Sequence, residues 1–189
     1  MRYISIIFGM LKMCLVSLFS FGGISFSFPV RMAANVSLSV RKSGKIRLGR
    51  CVSLNRHARI SATEKALIEV GNDSLIGYNN VIISRERISI GNNVMLGANV
   101  CIYDHDHVYN KLGIMREQGY TTAPVTIEDN VWIGAGVIVL KGVTIGSGSV
   151  IAAGTVVKRD IPENSLVYNQ RELVIRPRIP EEQSDGLPD

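Results

Sequence analysis

A beat of six residues constrains this chain more than any other feature. From Ile127 onward it reads IEDNVW, IGAGVI, VLKGVT, IGSGSV, IAAGTV and VKRDIP, with an aliphatic residue at 127, 133, 139, 145, 151 and 157. Small residues or valine recur four places later, at 131, 137, 143, 149 and 155. The same beat runs through 90, 96 and 102, through 70, 76 and 82, and through 48, 54 and 60, with slips of phase between blocks, as from Ile88 to Ile90. An α-helix repeats about every 3.6 residues and a strand every 2, so neither alone produces six. Three units of six complete one turn of a triangular coil. Each side is a short strand, and each corner is a tight turn suited to Gly, Asn and Asp. The leading aliphatics point inward and stack from coil to coil, because one coil cannot bury its apolar side alone. The sequence therefore predicts an all-β chain folded as a parallel β-helix. Aromatics supply only 6% of residues, against 18 glycines, which suits layers of small and β-branched side chains.

These units resemble the hexapeptide-repeat acyltransferases over roughly residues 46 to 176, and most closely the galactoside, maltose and polysaccharide O-acetyltransferases. The resemblance implies a left-handed β-helix that assembles as a homotrimer, with each active site between two prisms. It also implies acetyl-CoA as co-substrate, a sugar or glycan acceptor and no required metal.

The repeat is interrupted at about residues 104–124, DHDHVYNKLGIMREQGYTTAP, which is expected to protrude as a long loop. Interruptions of a regular scaffold are where function concentrates. This one opens with His105 and His107, two of the three histidines in the chain. An imidazole with an ordinary pKa of about 6.5 can take a proton near neutrality. An acceptor hydroxyl needs that help to attack a thioester. In the resembled family the histidine at the start of the extended loop is the base, and His105 in IYDHDH matches it. Asp104, Asp106 or a backbone carbonyl could orient the ring. Asp104 and His107 are also placed on the acceptor side, together with Asn79 in GYNNV, which matches a sugar-binding asparagine and equally suits a turn. A zinc site built from His105 and His107 would need His57, some three coils earlier.

The C-terminal coils resemble the family's acetyl-CoA site. Ala135 and Ala153 match positions whose backbone holds the pantetheine arm. Lys158 and Arg159 replace a Thr-Lys pair near the nucleotide, and Arg176 matches a further basic contact. Trp132 resembles a tryptophan near the acetyl group or acceptor, and would serve equally as a core or subunit-interface aromatic. Relatives continue past the last coil with a Gly-x-Pro-Ala-Lys stretch. Here the chain reads VYNQRELVIRPR from Val167, so phosphate contacts at 168–172 do not carry over.

Three regions complete the division of the chain. Residues 1–30 form an apolar segment, residues 31–176 the β-helix domain, and residues 177–189 a tail expected to be disordered. The uncharged run at 13–30 has 18 residues, the short end for a membrane span. It would associate with a membrane surface, pack on the domain, or form a cleaved signal. Arg41, Lys42, Lys45, Arg47 and Arg50 follow it, suited to an anionic leaflet or to a solvated face. The expected location is cytoplasmic, with peripheral attachment at the inner membrane face as an option. A net charge of +5 without interleaved aromatics or a nucleic-acid motif argues against nucleic-acid binding. Cys14, Cys51 and Cys101 form no CxxC and are expected to be buried thiols. Two other readings stand beside O-acetyl transfer: N-acetylation of an amino sugar, and a non-catalytic β-helix that only binds.

Overall fold

The structure, a computed structural model, describes residues 20–170 together with Met13, Leu15, Val16 and Leu18. The chain winds as a left-handed parallel β-helix with three faces. The first face stacks β1 (Ile24–Phe26), β4 (Lys45–Leu48), β7 (Leu67–Val70), β10 (Arg87–Ile90), β15 (Val125–Ile127) and β18 (Thr144–Ile145). The second stacks β2 (Arg31–Met32), β5 (Ser53–Leu54), β8 (Leu75–Ile76), β11 (Met95–Leu96), β16 (Trp132–Ile133), β19 (Val150–Ile151) and β21 (Leu166–Val167). The third stacks β3 (Ser37–Val40), β6 (Arg59–Ala62), β9 (Val81–Ser84), β12 (Cys101–Tyr103), β17 (Ile138–Val139) and β20 (Val156–Val157).

Every leading aliphatic of the six-residue beat is buried, from Leu48, Leu54 and Ile60 to Ile145, Ile151 and Val157. The positions four places later point inward too, as Val131, Val137 and Val143, or as buried Ser149 and Thr155. The phase slips also have a structural cause. Ile127 stacks on Ile145, three hexads away. Ile24 stacks on Ile46 and Ile46 on Ile68, 22 residues apart. On the first and third faces the strands from β3 to β10 have four residues, where the later ones are shorter. The extra residues come in pairs, which is one strand period, so Ile46 and Leu48 both point inward and no face is inverted.

Most corners place one residue in the left-handed region. Between the second and third faces that residue is Asn35, His57, Asn79, Asn99, Gly136 or Gly154, with φ between 57° and 70°. At the corner between the first and second faces, side chains extend the backbone ladder. Asn72 accepts from the Arg50 N–H at 2.8 Å, Asn92 from the Asn72 N–H at 2.8 Å, and Asp129 from the Asn92 N–H at 2.7 Å.

These bonds from the Asn92 backbone and side chain hold the Asp129 carboxyl below the usual aspartate range. A depressed folded-state pKa adds stability that is complete above the unfolded value of about 4 and disappears as pH falls through the lower folded value. Asp129→Asn is thus expected to melt only slightly below the parent at pH 7, because the carboxyl is exposed and solvent screens its charge. The gap should narrow below about pH 4, which thermal melts at several pH values will measure.

The thiols depart from expectation. Cys51 is an exposed corner residue with φ 58°, and Cys101 is half-buried on the outer side of β12. Both are free. Cys14 lies outside the described residues. The basic cluster is on the outer surface, where Arg47 pairs with Glu69 at 3.1 Å and Lys42 with Glu64 at 3.7 Å. Among the described residues no helix is long and apolar enough to cross a membrane. Phe21 and Leu18 are nevertheless 97% and 72% exposed at the N-terminal end.

Candidate active site

The interruption after β12 is a β-hairpin rather than an irregular loop. β13 (His105–His107) pairs antiparallel with β14 (Tyr120–Thr122), and a short 3₁₀ turn at Met115–Glu117 lies between them. His105 faces Thr122, Asp106 faces Thr121 and His107 faces Tyr120.

Asp104 sits where the coil gives way to the hairpin. Ile102 points inward, and alternation turns Asp104 inward as well, so its side chain has no exposed surface. A buried carboxylate requires donors, and it has them. Ser84 Oγ donates at 2.6 Å, the Arg85 N–H at 2.9 and 3.1 Å, and the Glu86 N–H at 2.8 Å. His105 Nδ1 lies 3.0 Å from Asp104 Oδ1. Since an ionised carboxylate only accepts, Nδ1 carries the proton and Nε2 the lone pair. His105 Nε2 has no protein partner among the described residues, and the side chain keeps 13% exposure. Asp104, placed by sequence on the acceptor side, therefore meets protein groups only and touches His105 directly.

Aromatic rings surround the imidazole. Tyr103 lies edge-on to His105 at 6.1 Å and Tyr120 at 5.5 Å. Burial first, and then the Cys101 thiol beside it, push the Tyr103 hydroxyl up from its ordinary value, so it stays protonated at neutral pH. Tyr120 also stacks on His107 at 4.4 Å and carries the Arg85 guanidinium 3.3 Å from its ring centre. Sequence reasoning did not find Tyr120, Arg85 or Ser84. Only the coil register, which sets Tyr103 beside Ile83, could have placed Ser84 and Arg85 next to Asp104.

The other expected site residues are distributed over the prism. Asn79 is exposed at the corner between the second and third faces, a left-handed turn residue whose N–H donates to Arg56 O at 3.1 Å. Ala135 and Ala153 occupy the same corner in later coils, both exposed, with Ala135 O accepting from the Gly154 N–H at 2.8 Å. Lys158 and Arg159 follow β20 and line an open cavity of about 650 Å³ at the C-terminal end, with Tyr168 and Asn169 opposite. Trp132 is 53% exposed on the second face, in register with Met95 and Val150. Leu75, Met95, Trp132, Val150 and Leu166 thus form one outward strip across that face. Trp132 and His105 leave the prism from different faces, so one chain does not bring them together through its scaffold. Arg176 lies outside the described residues, as do residues 1–12 of the apolar segment and the 177–189 tail. His57 is a corner residue. Among the described residues no group of three or more His, Cys, Asp or Glu side chains could hold a metal.

Comparison with known proteins agrees with this architecture. Residues 124–159 match the family described as "Bacterial transferase hexapeptide (six repeats)", and residues 68–104 match "Hexapeptide repeat of succinyl-transferase". The Saccharomyces cerevisiae protein named "Putative acetyltransferase YJL218W" is 38% identical over 163 residues, covering 74% of this chain and 82% of its own. The galactoside O-acetyltransferase of Escherichia coli is 39% identical over 111 residues, 58% of this chain and 53% of its own. This chain likewise spans 52% of a Schizosaccharomyces pombe relative that is 46% identical over 111 residues. Among solved structures, a point mutant of the Bacillus cereus N-acyltransferase AntD, crystallised with dTDP-4-amino-4,6-dideoxyglucose and coenzyme A, superposes with a TM-score of 0.66. It is 19% identical and covers 87% of this chain and 90% of its own, a likeness of fold.

Proposed function

The chain belongs to the hexapeptide-repeat acyltransferase family, and from that premise we propose that it moves an acetyl group from acetyl-CoA to a sugar hydroxyl. The observation that carries this reading is the buried Asp104 carboxylate 3.0 Å from His105 Nδ1, which leaves the Nε2 lone pair free. In the reaction the acceptor oxygen attacks the thioester carbonyl as Nε2 takes its proton. Backbone N–H groups or the protonated Tyr103 hydroxyl stabilise the oxyanion. The C–S bond then breaks, and the imidazolium returns its proton to the departing CoA thiolate. Asp104 holds the productive tautomer and offsets the imidazolium charge.

Ala135 and Ala153 form a backbone track for the pantetheine arm. Lys158 and Arg159, beside the C-terminal cavity, take the phosphates, joined by Arg176. Asn79 and His107 contact the acceptor, a sugar of a surface polysaccharide or lipid-linked glycan. The apolar strip around Trp132 is the face by which a homotrimer closes, carrying Trp132 of one subunit toward the hairpin of the next. The protein works in the cytoplasm, held at the inner membrane face by its apolar N-terminus.

The test is release of free CoA thiol from acetyl-CoA across a panel of hydroxyl sugars, amino sugars and glycans, with oligomeric state read by sedimentation. Transfer to hydroxyl acceptors by a trimer is expected. Transfer confined to amino sugars would make it an N-acetyltransferase, and silence across the panel would leave a binding protein. A fully active monomer would refute the shared site.

The phosphate assignment has its own outcome. Replacing Lys158 and Arg159 together with Ala is expected to raise the KM for acetyl-CoA about tenfold and leave kcat within about twofold, since both act on binding alone. Steady-state kinetics with varied acetyl-CoA will separate the two.

A further inference from the structure

Resting on the acetyl-transfer reading, a second question is what holds the His105 ring in place. Asp104 fixes its tautomer, but the rest of β13 belongs to a two-stranded hairpin, which is barely stable alone in water. The neighbouring coils supply what it lacks. From the coil before it, Arg85 lays its guanidinium 3.3 Å from the centre of the Tyr120 ring, while Glu64 holds the same guanidinium at 3.1 Å. From the coil after it, Lys141 Nζ donates to Thr121 Oγ1 at 2.6 Å and pairs with Asp106 Oδ2 at 3.2 Å. Asp106 and Thr121 are cross-strand partners, so one ammonium ties the two strands together at the residue next to His105.

Tyr120 completes the arrangement. An exposed aromatic beside a sugar site would ordinarily be read as a stacking platform for the acceptor. Here its π surface already carries a guanidinium at 3.3 Å and the His107 imidazole at 4.4 Å, and His105 meets it at a 74° interplanar angle. The ring is a spacer between Arg85 and both histidines. Arg85 is doubly tied, because its backbone N–H also donates to Asp104.

We propose that Arg85 and Lys141 are positioning residues that clamp the β13–β14 hairpin from the coils on either side, Arg85 through Tyr120 and Lys141 through the Asp106–Thr121 pair, and so fix the plane of the His105 imidazole against the acceptor. The Arg85–Tyr120 contact is the stronger half, since the guanidinium sits directly over a ring and is held by Glu64 as well, whereas the Lys141 pair relies on an exposed Asp106 and is screened by solvent.

The full chain carrying Arg85→Gln, Tyr120→Ala, Tyr120→Phe or Lys141→Ala tests this by steady-state kinetics and by ¹⁵N spectra of the histidine side chains. The chain has only three histidines, so each imidazole can be assigned. Arg85→Gln and Tyr120→Ala should lower kcat roughly 10–100-fold, the cost of a misplaced base, with the KM for acetyl-CoA unchanged. Tyr120→Phe should keep most of the turnover because the ring remains, and Lys141→Ala should fall between. The His105 and His107 ¹⁵N signals should broaden or average in Tyr120→Ala and stay sharp in Tyr120→Phe. Loss in Tyr120→Phe equal to that in Tyr120→Ala would assign the work to the hydroxyl and overturn the clamp. A raised acceptor KM with unchanged kcat in Arg85→Gln would make Arg85 a binding residue and overturn it too. Where Tyr120→Ala does not fold, Arg85→Gln decides. If the parent transfers acetyl to nothing, the transfer reading fails, while unchanged imidazole spectra in the clamp variants would sink the positioning claim separately.

Discussion

His105→Ala is expected to lower acetyl-transfer turnover by roughly 10²–10⁴-fold, the usual contribution of a positioned base. That corresponds to about 3–5 kcal/mol of barrier. The side chain is mostly enclosed, yet among the described residues its only side-chain hydrogen bond is to Asp104, so alanine removes the Nε2 lone pair without opening the prism core. The KM for acetyl-CoA should hold, because the residues assigned to the cofactor lie along a separate corner and the C-terminal end. His107→Ala should cost less and act on acceptor affinity, since His107 is exposed and stacked on Tyr120. For the parent, turnover should fall on acidification, because a protonated imidazole has no lone pair to offer, and the alanine variant should lose that dependence. Near-parental turnover in folded His105→Ala would remove His105 from the mechanism. A larger loss in His107→Ala would move the base there.

What the sequence made legible follows from how coils are stabilised. Inward positions such as Ile127, Ile133 and Val139 must be apolar and must recur at the spacing of the faces, so the beat of six is written directly in the chain. The slips of phase were visible, but their meaning was not. It becomes clear once Ile46 and Leu48 both face inward from one longer strand. The interruption was legible as a departure from the beat. Its pairing was not, since β13 and β14 have three residues each and meet across an irregular connection that carries no turn signature. The orienter of His105 stayed open among Asp104, Asp106 and a carbonyl because adjacent side chains on a strand point to opposite sides. Parity offered a clue: Ile102 is a leading aliphatic, so Asp104, two residues on, shares its inward direction. A carboxylate at an inward position has to be gripped by donors, and the register puts Ser84 opposite it. Tyr120 and Arg85 had no comparable signal. Their meeting depends on how the hairpin folds back over the preceding coil, which no local pattern encodes.

Asp104→Asn is expected to damage both catalysis and stability, for one chemical reason. The carboxylate accepts from Ser84 Oγ, the Arg85 N–H, the Glu86 N–H and His105 Nδ1, and it has no exposed surface. An asparagine of the same shape must turn an NH₂ group toward donors. If it faces Arg85 and Glu86, two N–H groups confront it and the turn at 84–86 loses its anchor. If it faces His105, it also confronts the Arg85 N–H, and it donates to Nδ1, which moves the ring proton onto Nε2, the atom that has to accept. Either way turnover should fall by about 10²–10⁴-fold through the wrong tautomer or a displaced ring. Stability should fall by about 2–4 kcal/mol, since bonds to a buried charge are worth roughly 1.5–3 kcal/mol each and the remaining donors recover only part. Ser84→Ala separates the two effects. It removes one donor from the carboxylate and leaves the Asp104–His105 contact in place, so it should destabilise by about 1–2 kcal/mol while turnover stays within a few-fold of the parent. Chemical denaturation and transfer kinetics on the two variants give the result. If Ser84→Ala lost turnover as severely as Asp104→Asn, the carboxylate would be acting through the fold of the 84–86 turn, and the orienting role would pass from Asp104 to the scaffold around it.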